Sequence, residues 1–139
     1  MGTIANHVGL CVTDVDASRR FYEEALGFSF QRDLHLPAGS TGSLLQIEEP
    51  VVLTAVYLTL GAFVLELLRF DRPDNPPFRP RVFNEPGLTH LSITTDDLPG
   101  ILDRVRACGG EVLAETDVGL AIMVRDPDGQ LIELLPTRR

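Results

Sequence analysis

The sequence has no lysine and no tryptophan, and all 12 of its basic residues are arginines. Without lysine there is no Schiff-base nucleophile and no phosphate-binding P-loop. The arginines are outnumbered by 20 acidic residues, leaving a net charge of −8. That balance argues against nucleic acid or an anionic membrane as a partner, since both require basic patches. Two cysteines, Cys11 and Cys108, are too few for a disulfide framework. Neither a Gly-x-Ser-x-Gly elbow nor a Gly-rich nucleotide loop occurs. Long apolar runs are missing too. The richest stretch, Val51 to Leu68, is interrupted by Gly61 and contains Glu66, which suits two strands better than a membrane span. The opening MGTIANHVGL has neither the basic segment nor the apolar core of a signal peptide, so a soluble, cytoplasmic protein is expected.

What is present is ordinary globular composition: 139 residues, 44% hydrophobic and 23% charged. A chain of this kind and length makes one domain with a real core. Within it lies a repeat. HVGLCVTDVDASRRFYEEALG runs from His7 to Gly27, and HLSITTDDLPGILDRVRACGG from His90 to Gly110. Each opens on a histidine, continues as a β-rich run, places an aspartate seven positions on (Asp14, Asp97) and ends a helix-like stretch at glycine. Asp14 or Asp16, and Asp96 or Asp97, are candidate helix caps. Two hairpin-like pairs follow. Leu53–Leu60 and Phe63–Phe70 flank a Gly61-Ala62 turn, while Leu120–Arg125 and Gln130–Leu135 flank Asp126-Pro127-Asp128-Gly129. Each half is therefore β-α-β-β-β in outline, an α+β fold. The chain reads as a single domain over 1–139: module one about 4–70, a Pro-rich connector about 71–87, and module two about 88–137. A stretch from Asp33 to Ser43, containing His35, Pro37, Gly39 and Gly42, reads as an irregular, mobile loop.

The repeat sets His7 against His90 and Glu66 against Glu133. A carboxylate within an apolar strand is costly unless paired or metal-bound. If the halves pack as a pseudo-twofold pair, two imidazoles and two carboxylates can converge, a donor set suited to a divalent transition metal. Strand alternation then predicts the pocket. Cys11, Val64, Leu68, Phe70, Ser92, Thr94, Leu131 and Leu135 share a face with these residues. Val8, Leu10, Val12, Leu91, Ile93, Leu65, Leu67, Ile132 and Leu134 take the other face, toward the helices. The pocket floor is mostly apolar and suits a weakly polar carbonyl compound. Arg32, Arg72, Arg79 and Arg81 are assigned to loops and solvent, Arg125 to a turn.

His7 in NHVGLCVTDVDASRRFYEEALGF, Glu66 in FVLELLRF, His90 in GLTHLSITTDDL and Glu133 in DPDGQLIELLP carry a resemblance to a known family. From His7 to Leu135 the chain resembles the glyoxalase / bleomycin-resistance / extradiol-dioxygenase (vicinal oxygen chelate) superfamily. The ligand set is similar to that of glyoxalase I and methylmalonyl-CoA epimerase. The resemblance implies two tandem βαβββ modules forming a cupped mixed sheet around a metal, in a homodimer. It also implies one divalent ion per chain (Zn, Ni, Co, Mn or Fe) held by His7, Glu66, His90 and Glu133. The expected function is an isomerase, epimerase or lyase that moves a proton next to a metal-bound carbonyl of a small substrate, with Glu133 or Glu66 as the base. Two alternatives are a ferrous ring-cleaving dioxygenase and a non-catalytic small-molecule binder of the resistance type. Where bacterial-type glyoxalase I has an Arg and an Asn near its substrate, this chain has Cys11 and Phe70, so glutathione contacts are not expected.

Overall fold

A computed structural model describes residues 2–138. In chain order it contains β1 (Val8–Cys11), α1 (Val15–Arg20) continuing into a π-type turn (Phe21–Ala25), β2 (Ser29–Leu36), α2 (Thr41–Leu45), β3 (Leu53–Leu60) and β4 (Phe63–Phe70). After the connector come β5 (His90–Thr95), α3 (Leu98–Ala107), β6 (Glu111–Leu113), a 3-10 turn (Ala114–Thr116), β7 (Ile122–Arg125) and β8 (Leu131–Pro136). The strands form two four-stranded mixed sheets, β1-β4-β3-β2 and β5-β8-β7-β6. In each, the first strand lies parallel to the last and the other pairings are antiparallel. This is the expected α+β architecture.

The chain divides into two compact units. The first takes residues up to Asp16 and Gly27–Pro76. Its core is built on alternation: Leu65 and Leu67 are fully buried, whereas Val64, Glu66 and Leu68 between and beside them are half-buried. Gly61, at φ +58, makes the two-residue turn that joins β3 to β4 and locks their register. The Asp33–Ser43 segment differs from its expected irregularity, because β2 extends to Leu36 and α2 begins at Thr41. Every β2 residue is exposed, so the strand has no apolar alternation to read. It exists as an edge strand paired to β3 alone, with a bulge between Phe30 and Arg32.

The second unit takes Ala17–Leu26 and everything from Pro77 on. Ile132 and Leu134 fill the back of its sheet, each fully buried, worth roughly 1.5–3 kcal/mol of hydrophobic stabilisation apiece. The helix α3 is capped by Asp97, whose side chain accepts from Gly100 N at 3.0 Å. Although segment 17–26 belongs to the first repeat, its partners are here. Phe21 packs so closely on Gly110 that a Cβ there would meet the ring at 2.5 Å. Tyr22 Oη donates to Asp126 Oδ2 at 2.9 Å, and Arg104 Nε donates to Ala25 O at 3.3 Å. Asp126 is itself buried, and its Oδ1 also accepts from Asp128 N and Gln130 N, which organises the turn before β8. Burial raises the Asp126 carboxyl against the lowering effect of those N–H groups, and burial beside Asp126 pushes Tyr22 well above its usual value.

Candidate metal centre

In the first unit the β1–β4–β3–β2 registers align one row of residues across the sheet: Gly9, Glu66, Tyr57 and Arg32. His7 stands just before β1, with its Nε2 3.4 Å from Glu66 Oε1. Its Nδ1 donates to Asn6 Oδ1 at 2.6 Å, which leaves Nε2 to face the carboxylate. Glu66 is the more enclosed of the two candidate carboxylates, with its side chain 13% exposed. The Tyr57 hydroxyl donates to it. That bond, then burial and the nearby charge, raise the Tyr57 pKa above 10.0, while Arg32 pulls it back. Arg32 centres its guanidinium 4.3 Å over the Tyr57 ring, and His7 meets the same ring edge-on at 5.5 Å.

The second unit repeats the pair with other support. Its matching row is Ser92, Glu133, Met123 and Leu113. His90 Nε2 lies 3.9 Å from Glu133 Oε1, and its Nδ1 is hydrogen-bonded to Thr89 Oγ1 at 2.8 Å. Ser92 Oγ donates to Glu133 Oε1 at 2.7 Å, and the Phe83 ring lies 4.9 Å from the His90 ring. The Glu133 side chain is 30% exposed. Within either unit no third His, Cys, Asp or Glu joins the pair among the described residues.

The donor chemistry fits a divalent cation. Bonds of about 2.0–2.2 Å to one ion place neighbouring N and O donors roughly 3–4 Å apart. The two His–Glu separations, 3.4 and 3.9 Å, fall in that range. In both pairs a neighbouring side chain holds the other imidazole nitrogen, as a ligating histidine needs.

The structure gathers the sequence candidates pair by pair. His7 and Glu66 meet in the first unit, with Cys11, Val64, Leu68 and Phe70 on the Glu66 face. His90 and Glu133 meet in the second, with Ser92, Thr94, Leu131 and Leu135 on the Glu133 face. These residues are half-buried or exposed, while Leu65, Leu67, Ile132 and Leu134 on the opposite faces are buried. Arg32 is not on a loop: it belongs to β2 and stands in the Glu66 row. Arg125, assigned to a turn, closes β7 opposite Leu131 and donates from Nη1 to Gly129 O. Asn6, Thr89, Tyr57 and Phe83 were not singled out in the sequence. A signal for Tyr57 was there, because a two-residue turn at Gly61-Ala62 sets Tyr57 opposite Glu66. No such rule pointed to Phe83, which the connector delivers.

The family described as Glyoxalase/Bleomycin resistance protein/Dioxygenase superfamily matches residues 4–134. A curated relative, an uncharacterized protein YaeR of Escherichia coli strain K12, is 30% identical over 95 residues, which is 67% of this chain and 61% of that protein. The match thus spans under two thirds of the relative's length. Among solved structures, a glyoxalase family protein from Bacillus cereus superposes with a TM-score of 0.79 at 19% identity, covering 95% of this chain and 92% of that one. A trypanothione-dependent glyoxalase I from Leishmania major gives 0.66 at 25% identity, over 94% and 84% of the two chains. The fosfomycin resistance protein FosX from Mesorhizobium loti gives 0.67 at 17% identity, over 97% and 92%. At such identities the likeness to the Bacillus and Mesorhizobium proteins speaks for the fold.

Proposed function

Because the chain belongs to the Glyoxalase/Bleomycin resistance protein/Dioxygenase superfamily, we propose that it is a divalent-metal-dependent enzyme of the glyoxalase type, an isomerase, epimerase or lyase. Its substrate is a small carbonyl compound, and its reaction moves a proton on the carbon next to that carbonyl. The observation that carries this reading is the repeated pair: each unit sets a histidine Nε2 against a glutamate Oε1 at a spacing suited to a shared ion. His7 with Glu66 in the first unit and His90 with Glu133 in the second are the donor pairs this reading assigns to metal. An ion held by these residues would supply Lewis acidity to the carbonyl oxygen.

The chain's own groups divide the remaining work. Glu66, more enclosed and receiving the Tyr57 hydroxyl, is held as a fixed ligand. Glu133 accepts from Ser92 and is more open, which suits the carboxylate that takes the proton and returns it. Val64 and Leu68 beside Glu66, and Leu131 and Leu135 beside Glu133, give each pair apolar neighbours on its own sheet face.

The test is elemental analysis of chain purified without chelator or affinity tag, beside a Glu66→Ala, Glu133→Ala double variant. The expected result is about one divalent ion per chain in the wild type and its loss in the variant. If neither protein binds metal, even after metal is added back, the reading fails. If the ion is ferrous and the protein consumes oxygen with a catechol, the ring-cleaving alternative replaces it.

A further inference from the structure

Eight of the arginines stand within ion-pair distance of a carboxylate. Arg32, like Arg125, has no such partner among the described residues, although the chain carries 20 acidic residues; Arg125 instead donates to Gly129 O. The Arg32 guanidinium lies over the Tyr57 ring, and Tyr57 in turn donates to Glu66. Stacking fixes the plane of a guanidinium while leaving its N–H groups in that plane for a second partner. Arg32 is exposed, so those N–H groups are reachable from solvent. It also lies in the Glu66 row, and β2 runs two strand spacings, about 10 Å, from β4. The matching row in the second unit ends instead on the apolar Leu113.

We infer that Arg32 is a specificity-determining residue, the receptor for a carboxylate that the substrate carries a few bonds from its reacting carbonyl. A carboxylate matches the fork of a guanidinium in a bidentate pair, and the stacked ring holds that fork in place. The substrate class becomes a small oxo or hydroxy-oxo acid rather than a neutral carbonyl compound. The inference rests on the proposed metal site, because the carbonyl end of the substrate binds there.

The test uses the full-length protein loaded with Co2+ and two hydroxamates, which chelate metal through the same vicinal oxygens. Acetohydroxamate is the neutral probe; succinate monohydroxamate adds a carboxylate. Binding is followed by the visible spectrum of the metal. The expected result is a preference of roughly tenfold or more for the carboxylate-bearing probe. Arg32→Gln brings that preference close to unity, and Arg32→Lys keeps part of it. Arg69→Gln, which removes an equal charge from an arginine paired with Asp71, leaves it unchanged. If acetohydroxamate binds but Arg32→Gln preserves the preference, or Arg69→Gln abolishes it equally, the role of Arg32 is overturned and the metal site stands. If neither probe perturbs the bound metal, or no metal loads, the site reading fails and the subsite with it.

Discussion

The two units carry the same histidine and glutamate on sheets of the same topology, yet the rows that support them have little else in common. Beside Glu66 stand Gly9, Tyr57 and Arg32; beside Glu133 stand Ser92, Met123 and Leu113. The first carboxylate is more enclosed, and it has a phenol to donate to it and a cation two strands away. The second is more open and is satisfied by a single serine hydroxyl against a thioether and an isobutyl group. A buried carboxylate costs more to hold in its charged form than an exposed one, so the deeper site needs the richer polar row. The sequence repeat accounts for what the pairs share. Divergence of their neighbours gives one half a polar wall and the other an apolar one.

The back faces are where the two units should agree most, and the largest effect tests that. Leu67→Ala and Leu134→Ala each remove a fully buried side chain, and each should destabilise by about 2–5 kcal/mol in denaturant unfolding. Values far apart would show that the two cores are not packed alike. Asp126 is the one buried carboxylate among the described residues, and its role sharpens the contrast. Asp126→Ala leaves the Tyr22 hydroxyl and the Asp128 and Gln130 amides without their acceptor, for a loss of about 1–3 kcal/mol. Tyr22→Phe should cost less, which thermal unfolding would resolve.

In the front rows, polar and apolar neighbours of the carboxylates should respond differently. Tyr57→Phe removes the hydroxyl donating to Glu66, and Ser92→Ala the one donating to Glu133. Each should weaken divalent-metal affinity roughly 10–100-fold in competition with a chelator. Met123→Leu, opposite Glu133 but with nothing to donate, should leave affinity unchanged. Equal losses from all three would break the distinction between polar and apolar support.

The smallest effect is in pH. Glu49 accepts from the amides of Gly42 and Val51, which hold its carboxyl below the ordinary value of 4.5. Its contribution is present above that value and is lost as pH falls through the folded pKa. Asp126 has the opposite sign, with a folded pKa above 3.8, so its cost is absent in acid and grows as pH rises through the folded pKa. Acidification should therefore loosen the Gly42–Val51 segment, visible as faster amide exchange at those two residues. Glu49→Gln should remove that acid dependence.

Much of the candidate site could be read in advance because it depends on local rules. The repeat paired His7 with His90 and Glu66 with Glu133, and alternation along β4 and β8 separated these carboxylates from the leucines beside them. The turn at Gly61 even fixed Tyr57 opposite Glu66. Arg32 escaped because β2 lacks the signal that marks a strand: its residues are exposed throughout, and pairing with β3 alone makes it one. Without that strand, the arginine had no reason to stand near the glutamate.

By itself, then, the sequence determined the two-module pattern, the His and Glu candidates and the side of each strand they occupy, since these follow from spacing along the chain, and its motifs carried the resemblance to the family. Tertiary structure decided the rest. It placed segment 17–26 with the second unit, where Gly110 leaves room for Phe21 and Asp126 accepts from Tyr22. It also laid Arg32 over Tyr57 and brought Phe83 beside His90. Apart from Phe83 and His90, those contacts join residues far apart in the chain, and their stability comes from surface and hydrogen bonds that exist only once both partners are in place.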